Sequence, residues 1–247
     1  MKHPDPSLHR LAASEAAAAP SAPATPSTVL NTPGTRRSVR GFSSRPVDQA
    51  TLESILIEAR RAPSGANLQP GKFIAVQGAA RARLSANLTD AWRKGQQESE
   101  DYDYFPRPMP MLLRRRQVAA AQALYGALGI SRDDRGGRDE QFERNFSFFD
   151  APVVLLVTID RSFGSGGYMD LGMSIYGLML AAHARGLGSC AIGAVASYPS
   201  LIRSTLGLDD SENIVCAIAL GHADPLAPVN RTATDRCALE DYFRIIA

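Results

Sequence analysis

The chain has 247 residues, 45% hydrophobic and 21% charged, the balance of a globular protein built as one large domain. Its 27 Lys+Arg against 25 Asp+Glu leave a formal charge of +2, too small for a nucleic-acid or membrane-surface binder, so any basic cluster must act locally. Cys190, Cys216 and Cys237 lie far apart, which leaves no CxxC pair, argues against a disulfide framework and points to the reducing cytoplasm.

Residues 1–30 contain AASEAAAAPSAPATPST, a low-complexity run with little to bury, and read as a flexible tail ahead of a domain over 31–247. Only Leu8 and Leu11 stand near Arg10, so the apolar stretch of a secretory signal is not formed. From Val47 the chain turns periodic. Asp48 is placed to cap a helix whose apolar positions Leu52, Ile55, Leu56 and Ala59 recur at helical spacing until Pro63. After the turn PSGANLQPG, the stretch KFIAV from Lys72 to Val76 is rich in aromatic and branched residues and predicts a strand. Weaker helical patterns run from Arg81 to Gly95 and from Met109 to Leu128. Residues 96–116 read as an irregular excursion, broken by charges, aromatics and prolines.

The run PVVLLVTID from Pro152 to Asp160 predicts a buried strand. Its apolar part is about a third of the roughly 20 residues that a membrane-crossing helix needs, so no span is expected. Tyr168 to Gly186 predicts a helix apolar almost all round and hence central. SCAIGAV and NIVCAIALG predict two more strands around a short helix from Tyr198 to Leu206, and residues 224–247 form a C-terminal arm. Mixed strands and helices with no internal repeat predict one α+β or α/β domain.

Most site motifs are missing. GSGGYM at Gly164 lacks the third glycine of a dinucleotide fingerprint, and GLGSCAIG at Gly186 follows a helix, not a strand. There is no phosphate-cradling GxxxxGK[ST], no GxSxG elbow and no metal-ligand spacing; the four histidines are scattered. Cys190 and Cys216 sit in apolar strands as small hydrophobes, and His183 reads as a helix residue and not a ligand. What stands out is RRSVRGF, Arg36 to Phe42. A solvated basic loop would account for it without function. In an extended segment, however, Arg36, Ser38 and Arg40 leave on one face, where guanidinium forks and a hydroxyl can converge on a phosphate. In PSGAN, Ser64, Gly65 and Asn67 offer further donors to a polar planar ligand.

These residues resemble a family, the FMN-dependent nitroreductases. The first signature is similar to RRSVRGFSSRPVDQATLESILIEARRAPSGANLQPGKFIAV, Arg36 to Val76; the second to ARGLGSCAIGAV, Ala184 to Val195; the third to IALGHADPLAPVNRTATDRCALEDYF, Ile218 to Phe243. The resemblance implies an α+β nitroreductase-like fold, a central mainly antiparallel sheet flanked by helices, in a domain-entwined homodimer. It implies FMN as cofactor, NADPH or NADH as co-substrate, and ping-pong reduction of nitroaromatic or quinone-like compounds, with hydride carried by FMN and no catalytic side chain. Residue by residue, Arg36, Ser38 and Arg236 match FMN-phosphate ligands, Arg37 contributes its backbone, and Arg231 is a weaker phosphate candidate than Arg236. Arg40 matches a cation at the flavin's pyrimidine edge, and Ile192 and Gly193 match residues beside N5. Pro63, Ser64, Gly65 and Asn67 match a ring-contacting loop, usually supplied by the other subunit. Gly71 stands where the commonest family form has Trp. The aromatics of 96–116 either pack the excursion onto the core or contact substrate, and Arg114 to Arg116 read as a solvated helix face. Two alternatives share the scaffold: a flavin dehalogenase or flavin-destroying relative, and a non-catalytic FMN-binding protein.

Overall fold

The chain is described as a computed structural model covering residues 33–246; the tail expected over 1–30 lies outside them. Strand β2, Val153–Asp160, is buried at every position except Asp160, which is why its sequence runs apolar without alternation. β2 pairs antiparallel with β1, Lys72–Val76, on one side and with β4, Glu212–Gly221, on the other; β3, Gly188–Ile192, pairs antiparallel with β4, giving the order β1-β2-β4-β3. The antiparallel sheet flanked by helices is the α+β architecture expected.

Because side chains alternate along a strand, β2 divides its residues between two cores. Val154 and Leu156 face one, closed by Leu84, Leu88 and Ala91 of α2, Gly78–Arg93, and by Ile202 of a later helix, Pro199–Leu206. Val153, Leu155, Val157 and Ile159 face the other, closed by Leu52, Ile55 and Ala59 of α1, Gln49–Ala59, and by Leu171, Leu178, Ala181 and Ala182 of a long helix, Ser165–Ala184. As expected, Asp48 caps α1, accepting hydrogen bonds from Thr51 N at 2.8 Å and Thr51 Oγ1 at 2.7 Å.

Other boundaries differ for local reasons. α2 begins at Gly78, not Arg81, because its first turn holds only small residues with no period to read, and it stops short of Gly95, whose φ is +63°. α3, Met111–Leu128, starts after Pro110, since a residue before proline is pushed out of helical backbone. Residues 111–116 therefore belong to a helix and the irregular stretch ends at Pro110. α4, Arg135–Glu143, was not anticipated: its glycines disfavour helix, and Asp134 offsets them by accepting from Gly137 N at 2.8 Å. The long helix, α5, is not buried all round within one chain: Met169, Met173 and Tyr176 are exposed. The Pro199–Leu206 helix is α6, and a last turn, α7, spans Leu239–Tyr242.

The irregular stretch is tied down by its acids. Glu98 accepts from Ser200 N at 2.7 Å and Leu201 N at 3.2 Å, at the start of α6, where free backbone N–H groups favour a negative charge. Glu100 accepts from Ser197 Oγ at 2.9 Å. Asp101 pairs with Arg203 and accepts from Ile214 N at 2.8 Å; the two paired side chains are only 8% and 7% exposed. Tyr102 donates to Val215 O at 2.7 Å. Removing one partner of a buried ion pair leaves the other charge uncompensated, at a cost of about 3–5 kcal/mol. Arg203 keeps a more distant and exposed carboxylate, Asp210, at 3.6 Å, so Asp101→Ala should lower the unfolding free energy by about 2–4 kcal/mol in a denaturant titration; a loss of less than about 1 kcal/mol, the range of exposed pairs, would show that the clamp is not structural.

Candidate functional site

The Arg36–Phe42 segment lies along the edge of β3. Ser38 bridges Ser189 in parallel, Val39 N donates to Ser189 O at 3.0 Å, Phe42 bridges Ala223, and Ser43 N donates to His222 O at 2.9 Å. The segment is extended, so Arg36, Ser38 and Arg40 do share a face. One side chain that sequence reading missed holds it there. Asn230 accepts from Arg40 N at 2.9 Å and Gly41 N at 3.1 Å through Oδ1, and donates through Nδ2 to Gly41 O at 2.8 Å and Asp224 O at 2.9 Å. The approach is so close that a Cβ on Gly41 would lie 2.5 Å from that of Ala227, which requires glycine.

Beyond Asn230 the C-terminal arm folds back over the segment. Arg37 Nη1 donates to Thr232 O at 3.4 Å, and Arg236 Nη1 donates to Thr234 O at 3.2 Å and Asp235 O at 3.0 Å. A cavity of about 360 Å³ results, lined by Arg36, Arg37, Ser38, Arg40, Thr234 and Arg236 among others. Among the described residues, none of the four guanidinium groups has a carboxylate within 4.0 Å, and the buried Nε of Arg36 has no hydrogen-bond partner. Gathering like charges and burying an unpaired donor are both unfavourable, and one bound anion relieves both. A phosphate has the charge and the acceptor oxygens to do so. Arg231 is exposed and does not line this cavity. Beneath the cluster, burial pushes the Cys190 thiol up against the opposing pull of Arg40, Ser38 and Arg36, and burial pushes Cys216 up to about 12, so neither supplies a thiolate.

The Pro63–Asn67 loop is elsewhere. Pro63 and Ser64 line a second cavity of about 480 Å³ with Leu56, Phe73, Ile74 and Asp170, and the two cavities have no lining residue in common. Gly65 N donates to Asp170 Oδ2 at 2.9 Å. Ile192 ends β3 with its side chain buried, so only its backbone can meet a ligand, and the ring of Tyr104 lies against Gly193, whose Cβ, if present, would fall 2.7 Å from it. Gly71 has φ +92°, and a Cβ there would meet Leu171 Cδ1 at 2.5 Å, so a side chain in place of the glycine would be strained and would displace Leu171. His183 Nε2 lies 2.8 Å from Thr35 Oγ1, on the helix surface as expected.

The family described as the nitroreductase family matches residues 34–222. The chain belongs to the nitroreductase family. Among curated relatives, chloronitrobenzene nitroreductase of Comamonas testosteroni is 34% identical over 212 residues, 85% of this chain and 93% of that protein. The 4-nitrobenzoate reductase of Pseudomonas putida is 36% identical over 195 residues, 79% of this chain and 85% of that one. Among solved structures, the FMN and NADPH-dependent nitroreductase NfnB from sphigopyxis sp. strain HMH superposes with a TM-score of 0.85 at 36% identity, covering 88% of this chain and 98% of that one. The match spans the arginine segment, the Pro63–Asn67 loop and Ile192–Gly193, but ends at residue 222, ahead of Asn230 and Arg236.

Asn230→Ala removes four hydrogen bonds at once, and should lower the unfolding free energy by about 2–4 kcal/mol. Amide hydrogen exchange should show lost protection at Arg40 and Gly41. Protection unchanged from wild type would mean that Asn230 does not hold the segment.

Proposed function

We propose that this nitroreductase-family chain is an NAD(P)H-dependent FMN nitroreductase, acting as a homodimer in which each site draws on both subunits. The observation that carries the reading is the cavity ringed by four guanidinium groups that have no carboxylate partner among the described residues, with the buried Nε of Arg36 also unbonded among them. Arg36, Ser38 and Arg236 hold the FMN phosphate, and Arg37 contributes through its backbone. Arg40 places a fixed cation at the pyrimidine edge, where it stabilises negative charge. The backbone at Ile192 and Gly193 faces the hydride-accepting side of the ring. When bound there, FMN would supply the two-electron chemistry, with NADPH or NADH as the reductant and a nitroaromatic compound as the acceptor. One open pocket serves reductant and acceptor in turn, so turnover is ping-pong and no side chain acts as nucleophile. The nitroaromatic substrate class is supported by the relatives, which are named for chloronitrobenzene and 4-nitrobenzoate.

The dimer is supported by surface that one chain leaves uncovered. α3 has no buried residue, Met169, Met173 and Tyr176 are exposed along α5, and Leu239, Tyr242, Phe243, Ile245 and Ile246 are exposed on the arm. The second support is the separation of the two cavities: Pro63, Ser64, Gly65 and Asn67 reach a flavin ring by coming from a second copy. We place the enzyme in the cytoplasm, in keeping with three free cysteines; no helix among the described residues is long and apolar enough to cross a membrane.

Wild-type protein should purify with FMN and oxidise NAD(P)H in dependence on a nitroarene, with parallel initial-rate lines. Turnover of that kind separates it from a dehalogenase or a storage protein. Arg36→Glu sets a carboxylate beside the phosphate dianion and should purify as apoprotein; full flavin occupancy in the variant would remove Arg36 from the site.

The shared site is tested by complementation. One chain carries Arg36→Glu with Arg236→Glu, and another carries Ser64→Tyr with Asn67→Asp, so each homodimer has two broken sites. Mixed dimers collect all the damage in one site and leave the other whole. Random pairing should restore about a quarter of wild-type activity; demonstrable heterodimers that stay inactive would show that both motifs serve the same subunit's site.

A further inference from the structure

The loop after α1 is held in an unfavourable backbone. Ala66, Asn67 and Gln69 have φ of +49°, +56° and +50°, the left-handed region that asparagine tolerates but alanine and glutamine avoid. Such conformations persist only where their surroundings over-determine them. Part of the bracing is internal: Ser64 Oγ accepts from Gln69 N at 2.9 Å, and Asn67 N donates to Ser64 O at 3.0 Å. The rest comes from α5. Ser174 Oγ donates to Ala59 O at 3.1 Å, and one turn earlier Asp170 Oδ2 accepts from Gly65 N at 2.9 Å. Residues four apart share a helix face, so α5 latches both ends of the Ala59–Gly65 turn from one side.

The choice of an acid is informative. Asp170 is the only acidic residue of the twenty in α5, it is 9% exposed, and no basic nitrogen lies within 4.0 Å of it among the described residues. It lines the cavity of the Pro63–Asn67 loop beside Ser64, Gln69 and Ser174, and a largely buried carboxylate with no cation in contact is a poor choice for stability alone. It is a good choice for fixing one backbone N–H, because a charged acceptor makes a shorter and stronger bond than a neutral one.

We propose that Asp170 is the positioning residue of the flavin-contact loop: by holding Gly65 N–H it sets where Ser64 and Asn67 stand against the ring, and the inference rests on the assignment of that loop under the proposed function. Asp170 acts through Gly65, so its loss displaces the loop and leaves the phosphate cavity intact.

The experiment compares Asp170→Ala, Asp170→Asn, Asp170→Glu and Ser174→Ala. In apoprotein, amide exchange should show protection of Gly65 lost in Asp170→Ala and kept in Asp170→Asn, whose amide oxygen can still accept the bond. Titrating apoprotein with FMN should give a dissociation constant raised about 10-fold in Asp170→Ala, roughly the worth of one hydrogen bond, with shifted visible absorption and a shifted midpoint potential. Asp170→Asn should restore most of both. Asp170→Glu keeps the charge but moves the acceptor by a methylene, so it should fold and still shift the spectrum, which keeps the inference open to refutation if the alanine variant does not fold. Ser174→Ala should lower the melting temperature by about 2–4 °C and leave the spectrum unmoved. Wild-type affinity and spectrum in Asp170→Ala or Asp170→Glu, or an asparagine variant as damaged as alanine, overturns the proposal. Ser64→Tyr separates this failure from that of the parent reading. If Ser64→Tyr loses flavin while the Asp170 variants do not, only Asp170's role falls; if Ser64→Tyr also binds FMN with wild-type affinity and spectrum, the loop does not contact the ring and both fall.

Discussion

The convergence of Arg36, Arg37, Arg40 and Arg236 on one cavity is the constraint around which the rest of the chain is arranged. Four like charges gathered with no carboxylate partner among the described residues repel one another, and the folded chain needs another source of rigidity to keep them together. It has two. The edge of β3 supplies backbone hydrogen bonds to the segment, and Asn230 spends its whole amide tying Gly41 and Arg40 to the start of the arm. Neither contact uses an arginine side chain, and the bonds that the Arg37, Arg40 and Arg236 guanidinium groups make to backbone carbonyls leave their charge without a carboxylate among the described residues.

That arrangement depends on the sheet beneath it. β2 and β4 are buried on both faces, so no ligand can approach the sheet except at its margins. β3 lies at one margin, and its side chains Cys190 and Ile192 belong to the core while its outer edge takes the arginine segment. The other margin, β1, borders the cavity of the Pro63–Asn67 loop. A four-stranded sheet thus holds the two groups of proposed flavin contacts at opposite edges, which is the geometry a second copy must bridge.

Local chemistry was legible in the sequence and distant contact was not. The cap at Asp48, the apolar run of β2 and the one-face alternation of Arg36, Ser38 and Arg40 are properties of neighbouring residues, and each reads correctly without a structure. The family resemblance reached further and placed Arg236, 200 residues later, beside Arg36. Asn230 and Asp170 escaped both readings. An asparagine after a proline turn and a single acid in an apolar helix are ordinary locally; their meaning lies in partners 189 and 105 positions away. α4 escaped for the opposite reason, since its two glycines argue locally against the helix that Asp134 initiates.

The excursion is anchored at one end and exposed at the other. Its acidic positions Glu98, Glu100 and Asp101 are spent on α6, on the turn before it and on β4, and Tyr102 on a β4 carbonyl, so this part is structural. Tyr104 and Phe105 come next, about half exposed, with ring centroids 4.7 Å apart and Tyr104 seated on Gly193. The two roles open for the aromatics are thus divided along the chain: the anchored end packs onto the core, and the exposed end stands beside backbone assigned to the flavin. Substitution at Tyr104 or Phe105 breaks none of the excursion's anchoring hydrogen bonds. That end can therefore be altered without disturbing the clamp that holds the loop, and neither Tyr104 nor Phe105 lines the arginine cavity.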